Sequence, residues 1–273
     1  MSETDRSPVV EIYEKLRALQ AGWGVELARP TGAGWISGDE LRDASSGHFR
    51  ALLERIGARS QTDDRRTIAG SFALHFGWTS AMAIAPFLRF RCVPDCSLAN
   101  VAIRFNQSAY VDGTAVYEAR GTVVADDPRA HHPSMRTVPN DRALLRALRD
   151  ALVAQSAPVV ATVFNWSAFA ERAIWGVLTS LWASQFVALW PAHDDQRPLA
   201  RMLDEFFAGD DVVAEMRPEV TAVESGRRVY LHLRRASCCR FYLVPAGGLC
   251  ASCPLVSDNE SDRDGRGPAH CSL

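Results

Sequence analysis

The sequence predicts an α+β fold: helices packed on a small, mostly antiparallel sheet, with a short cysteine-bearing extension toward the C-terminal end. Three observations lead there. Helix-period stretches come first, β-branched and aromatic alternation follows, and helices and then strands recur without alternating βαβ units. At 273 residues and 47% hydrophobic composition, the chain can bury a core without disulfides or metals. Finally, the second strand-like stretch runs straight into four cysteines at 238, 239, 250 and 253.

Taken in order, Ser7-Pro8 followed by VVEIYEKLRALQAGW reads as a capped first helix ending near Gly22 or Gly24. A Gly- and Pro-rich loop over 29–38 precedes a helix expected from about Asp39 to Ile56. Residues 62–90 read as helical, starting at Thr62-Asp63-Asp64, with Pro86 near the end. In 101–125, alternation around Asp112-Gly113 predicts a hairpin turning at that dipeptide. Residues 126–140 are a polar, Pro-containing connection, either a domain boundary or a loop inside one domain. A helix at about 141–154 follows, then an apolar run over 158–190 that makes one helix or two. Residues 197–208 predict a short amphipathic helix, and 218–224 with 228–234 a strand pair around Ser225-Gly226. We expect an α+β body over 9–233, a cysteine segment over 234–256, and a hydrophilic, disordered tail over 257–273.

Thirty Lys and Arg against 32 Asp and Glu leave a net charge of −2, so no basic field exists to attract nucleic acid. Locally, Arg227, Arg228, Arg234, Arg235 and Arg240 gather around the cysteines. The polar opening to Pro8 has no apolar leader segment. The apolar stretches 71–90 and 158–190 are interrupted by His75, Pro86 and Arg89, and by Glu171 and Arg172. They are expected to be core helices with no stable membrane insertion. A cytoplasmic protein is the expectation.

The chain has seven cysteines. Clustering without a secretion signal favours metal binding over a disulfide framework. Four thiolates satisfy either a [2Fe–2S] rhombus or one tetrahedral zinc. A redox dithiol is the third reading. Pro245-Ala-Gly247-Gly248 is turn chemistry able to fold the second pair back onto the first. The adjacent pair Cys238-Cys239 is unlike the paired CxxC of zinc sites. On a regular strand its side chains point to opposite faces, so a strand end or bend is expected. The assignment of cysteines to irons stays open.

The Cys-Cys-x10-Cys-x2-Cys spacing resembles the signature of the FhuF-type ferric-siderophore reductases, cytoplasmic bacterial [2Fe–2S] proteins that reduce ferric iron in imported siderophores. The Arg pair before Cys238, Phe241-Tyr242 after Cys239 and the closing Cys253-Pro254 agree with it. Upstream, Val93-Pro94-Asp95-Cys96-Ser97 is similar to a Val-Pro-Asp-Leu-Ser segment of that family. Arg172-Ala-Ile-Trp-Gly176 is similar to an Arg-Ala-Leu-Trp-Gly stretch that usually continues with Asn, where this chain has Val177. The resemblance spans roughly residues 70–255 and is strong over 234–254.

It implies a [2Fe–2S] cluster on Cys238, Cys239, Cys250 and Cys253, a ferric siderophore as acceptor, and a donor such as a ferredoxin or reduced flavin. Siderophores hold Fe(III) with hard oxygen ligands that grip Fe(II) far less, so one electron releases the metal. An all-Cys oxidised cluster carries a charge of about −2. Arg234, Arg235 and Arg240 are placed to offset that charge or to steer an acidic donor; a solvated basic flank is the alternative. A siderophore- or partner-binding protein with structural zinc, and an electron carrier for another enzyme, are the competing functions.

The remaining candidates read as structure. Cys92 and Cys96 are expected in the core, and Cys271 is incidental. His131-His132 reads as a solvated loop, His232 as a strand residue and His75 as a core residue. Trp175 and Trp182 share a helix face with Leu178, which suits helix packing or a siderophore pocket. Gly22-Trp-Gly24 and Gly32-Ala-Gly34 are too short for phosphate loops, and no nicotinamide or flavin fingerprint is present.

Overall fold

The structure is a computed structural model that describes residues 6–19, 24–191 and 194–256. Cys271, the expected tail and the expected first-helix end at Gly22 lie outside the described residues. The elements are α1 (Pro8–Leu19), β1 (Val25–Glu26), β2 (Trp35–Ser37), α2 (Gly38–Leu41), α3 (Gly47–Ser60), α4 (Arg65–Gly77), α5 (Ala81–Phe90), β3 (Val93–Pro94), β4 (Val101–Phe105), β5 (Val111–Val116), β6 (Gly121–Val124), β7 (Met135–Val138), α6 (Asp141–Ser167), α7 (Glu171–Leu189), α8 (Arg197–Phe206), α9 (Val212–Glu215), β8 (Glu219–Ser225) and β9 (Arg228–Arg234). This is an α+β fold. Its strands form three small sheets, ordered β1-β5-β4-β2, β3-β6-β7 and β8-β9. The first two each contain a parallel pair, β1 with β5 and β6 with β7.

The chain divides into two compact units. Among the described residues, the first comprises those up to 52 together with 79–162, and the second those of 53–78 and of 163–256. In the first, α1 buries Val9, Ile12, Tyr13 and Leu16. The Tyr13 hydroxyl donates to the Met82 carbonyl at 2.8 Å and lies 4.0 Å from Cys96 Sγ. Burial pushes the Cys92 and Cys96 thiols up to about 12, so both stay protonated core residues. The Val93–Ser97 segment starts as β3, and the Asp95 carboxylate accepts from Ser97 N at 3.1 Å. Buried Asn100 then ties the Asp95 and Glu118 backbones together, donating to both carbonyls and accepting from Glu118 N. His132 Nδ1 accepts from Ser134 N at 3.1 Å, which gives that loop histidine a local structural role.

Three helix boundaries and one turn differ from the sequence expectation. The 39–56 helix is two, because the Asp43 carboxylate accepts from Ser45 N and Oγ and closes a turn between α2 and α3. The 62–90 stretch is interrupted by a 3₁₀ turn at Trp78–Ser80. Pro158 does not break α6: it costs one ladder bond, while buried Gln155, Ser156, Val159 and Val160 flank it and hold the helix. The break falls instead at Ala168, whose φ of 53° ends α6 while Ser167 Oγ accepts from Phe169 N. The β4–β5 hairpin turns at Asn106–Tyr110. There Asn106 Oδ1 accepts from Tyr110 N, and Asp112-Gly113 is left inside β5.

The second unit contains α4, α7, α8, α9 and the β8-β9 ribbon. Asp64 caps α4, its carboxylate accepting from Arg66 N at 3.2 Å. Trp175, Trp182, Phe186, Phe206 and Phe207 form a buried chain of edge-to-face rings. The two tryptophans of α7 thus pack against each other and, through Trp182, on α8. The ribbon turns at Ser225-Gly226 as expected. Asp195 and Gln196 hydrogen-bond the backbone of Val229 and Leu231 in β9. Val229 and Leu231 face inward, while Arg228, Tyr230 and His232 face outward.

Two helical stretches, Arg65–Phe90 and Asp141–Ser167, reach the length and apolarity of a membrane span. The apolar window of the first is 83% buried inside the protein and the turn at Trp78–Ser80 interrupts it, as befits a core helix. The second begins with charged Asp141, Arg142, Arg146, Arg149 and Asp150.

His75, on α4, is 3% exposed, and its Nε2 lies 3.2 Å from Arg59 Nη2. Burial, then the Arg59 charge, lowers its pKa to about 3. The unfolded chain takes up this proton below about pH 6.5 and the folded chain does not until about pH 3. Stability is therefore full above pH 6.5 and falls with acid through that window, at up to about 1.4 kcal/mol per pH unit. Urea unfolding from pH 7 to pH 4 should show this slope in the native protein and a flatter one in His75→Gln.

Candidate metal centre

The site belongs entirely to the second unit. Leaving β9, the chain is held by two backbone hydrogen bonds: Arg235 N donates to Ser252 O at 2.8 Å, and Ala236 N to Ser180 Oγ of α7 at 3.0 Å. It then lies directly on two helices. A Cβ at Gly70 of α4 would overlap the Cys239 carbonyl, and one at Gly176 of α7 would stand 2.6 Å from Ser237 Cβ. Only glycine permits approaches this close. Arg240, in the left-handed conformation at φ 65°, reverses the chain into a 3₁₀ turn over Phe241–Leu243. The return arm brings Cys250 and Cys253 back beside the first pair, with Cys253 N donating to Cys250 O at 2.9 Å.

All four cysteines are free thiols. Cys238 Sγ and Cys253 Sγ are 3.9 Å apart. Cys239 and Cys253 are buried, while Cys238 and Cys250 are partly exposed. Burial raises the Cys239 thiol, and it raises Cys253 to about 11; the neighbouring thiols push both further in the same direction. Such groups become thiolates when a metal displaces their protons and supplies the compensating charge. The donor set therefore fits a thiolate-bound metal group. Among the described residues, no three His, Cys, Asp or Glu side chains form a site for a single ion.

The three arginines occupy different positions. Arg234 Nη2 donates to the carbonyls of Pro254 at 3.2 Å and Val256 at 3.1 Å, clasping the return arm. Arg235 is 8% exposed, with Nη1 3.7 Å from Cys239 Sγ. The Arg240 backbone N donates to Cys238 Sγ at 3.3 Å, while its guanidinium reaches Asp64 Oδ2 at 2.9 Å and Thr67 Oγ1 at 3.3 Å. The Thr67 hydroxyl and then Arg240 hold the Asp64 carboxyl below its usual range. Of the three, Arg235 is the buried guanidinium that faces a thiol. Sequence reasoning missed Asp64, Thr67, Gly70 and Ser180 as parts of the site, because they lie far from the cysteines along the chain and nothing local ties them to it; Asp64 was legible only as a helix start. Gly176 stood inside a segment singled out only by resemblance, and the close approach of Ser237 gives its physical reason.

Fold and donor set together describe the class: an α+β protein with four cysteine thiols gathered beyond its last strand. Residues 235–255 match the family model of the FhuF 2Fe-2S C-terminal domain, so the chain carries a segment of the FhuF type whose cofactor is a [2Fe–2S] cluster. No curated protein matches the chain.

Gly70→Ala and Gly176→Ala should each cost about 1–3 kcal/mol by overpacking and lower the iron content per chain. Urea midpoints and iron analysis of the purified variants check this; native values for both would remove the close-approach argument.

Proposed function

We propose that this protein reduces ferric iron held in siderophores, one electron at a time, in the cytoplasm, with the cluster ligated by Cys238, Cys239, Cys250 and Cys253. The observation that carries the reading is a FhuF-type thiolate site placed at a surface: Cys238 and Cys250 are partly exposed while Cys239 and Cys253 anchor the other side. When bound, the cluster supplies a one-electron store. The chain's own residues hold it, bury one side from water and leave the other open to an acceptor. One electron comes from a reduced ferredoxin or reduced flavin, and one passes to the siderophore's Fe(III). That iron leaves as Fe(II), and no bond of the siderophore is cut. Exposed Phe241, Tyr242 and Leu249 beside the cysteines give either partner apolar surface to contact.

Protein reduced with dithionite and freed of the reductant should reoxidise on mixing with a ferric siderophore and yield one trapped Fe(II) per cluster. Reoxidation by no siderophore class would leave an electron carrier for another enzyme; a colourless, zinc-loaded protein would end the redox reading.

Arg235 places positive charge against a ligand thiolate and so favours the more negative, reduced state. Arg235→Gln removes a charged hydrogen bond of about 1.5–3 kcal/mol. At about 59 mV per 1.4 kcal/mol, the potential should fall by on the order of 60–130 mV. Arg240→Gln should shift it less, because Asp64 already offsets that guanidinium. Redox titration followed by visible absorbance or EPR compares the two.

A further inference from the structure

Adjacent cysteines are a poor way to grip a single metal ion, since neighbouring side chains on extended backbone diverge. Here the two do diverge. Cys239 is buried with its sulfur toward Arg235, while Cys238 is partly exposed with its sulfur toward Cys253. Two thiolates on one tetrahedral metal, with bonds of about 2.3 Å, stand roughly 3.8 Å apart. The Cys238 and Cys253 sulfurs are 3.9 Å apart.

The geometry points to Cys238 and Cys253 as the thiolate pair of one iron and to Cys239 and Cys250 as the pair of the other. This rests on the [2Fe–2S] reading and deepens it: each dipeptide-scale motif, Cys238-Cys239 and Cys250-x-x-Cys253, sends one sulfur to each iron. The cluster then links the end of β9 to the return arm twice. The two irons also differ in surroundings. One has the backbone N–H of Arg240 at Cys238; the other has the Arg235 guanidinium at Cys239.

The four single Cys→Ser variants test the pairing by spectroscopy of the loaded protein. A hard alkoxide ligand favours Fe(III), so in the dithionite-reduced state the Ser-bound iron stays ferric and the all-sulfur iron becomes ferrous. Mössbauer spectra of ⁵⁷Fe-enriched protein, with EPR g-values, should sort Cys238→Ser with Cys253→Ser and Cys239→Ser with Cys250→Ser. Any other sorting overturns the pairing. A second measurement needs no cluster. Iron-free native protein is oxidised with diamide, which takes up the two electrons and two protons lost as a pair of thiols forms a disulfide. Peptide mapping should find the Cys238–Cys253 bridge severalfold above any other. Dominance of Cys238–Cys239, Cys250–Cys253 or another pair, or no bridge at all, overturns the proposal. Failure of the cluster reading itself is seen separately, as native protein that binds zinc and shows no visible bands.

Discussion

The Ser237–Cys239 backbone rests on α4 at Gly70 and on α7 at Gly176, and the order of the whole cysteine segment depends on those two approaches. A segment with so little regular structure loses much of its freedom when fixed, so the helices have to hold it from outside. They do so with few groups. Ser180 takes the amide of Ala236, and Asp64 with Thr67 takes the guanidinium of Arg240. The return arm is closed by the Arg235–Ser252 backbone bond and by Arg234 on the last carbonyls. Arg234 and Arg240 are thus engaged with backbone and carboxylate partners around the site, and Arg235 is the one directed at a sulfur.

This division of labour bears on the electrostatics. Four thiolates in a partly buried setting concentrate negative charge, which burial alone opposes. Bound metal relieves most of it, and a guanidinium beside Cys239 relieves part of the remainder. Carboxylates stand beside the other two guanidinium groups, Asp64 at Arg240 and Glu219 at 3.9 Å from Arg234. A count of arginines near the motif therefore overstates the field at the cluster. What matters is which guanidinium is buried and directed at a sulfur, as that of Arg235 is at Cys239.

The parts of the molecule legible in the sequence were those with local causes. The cysteine spacing, the β8-β9 ribbon around Ser225-Gly226, the amphipathic α8 and the Asp64 start of α4 all follow from neighbouring residues. The misread places were contests decided at a distance or by a competing side chain. Asn106 captured the hairpin turn ahead of Asp112-Gly113, and Asp43 interrupted a helix-period stretch. Burial carried α6 through Pro158. The site was legible as a donor set and illegible as a cradle, because Gly70 and Gly176 read only as helix-weakening residues until Cys239 and Ser237 are placed on them. Val177, at the position where the family resemblance leads one to expect Asn, is fully buried. An amide there would need a buried partner, whereas valine asks only for packing.

The adjacency of Cys238 and Cys239 is an obstacle to binding one ion, since successive side chains separate rather than converge. For a cofactor with two metal centres it becomes an advantage, because one backbone position can serve both centres without bending back on itself. The left-handed Arg240 then need only turn the chain, and under the proposed pairing the arm carrying Cys250 and Cys253 would supply the complementary ligand to each centre. A ten-residue spacer folded through a 3₁₀ turn and Pro245–Gly248 gives that arm the reach to return to its start, where Arg235 N donates to Ser252 O. The same spacing that marks the motif in sequence is the length of chain required to bring two diverging sulfurs a partner each.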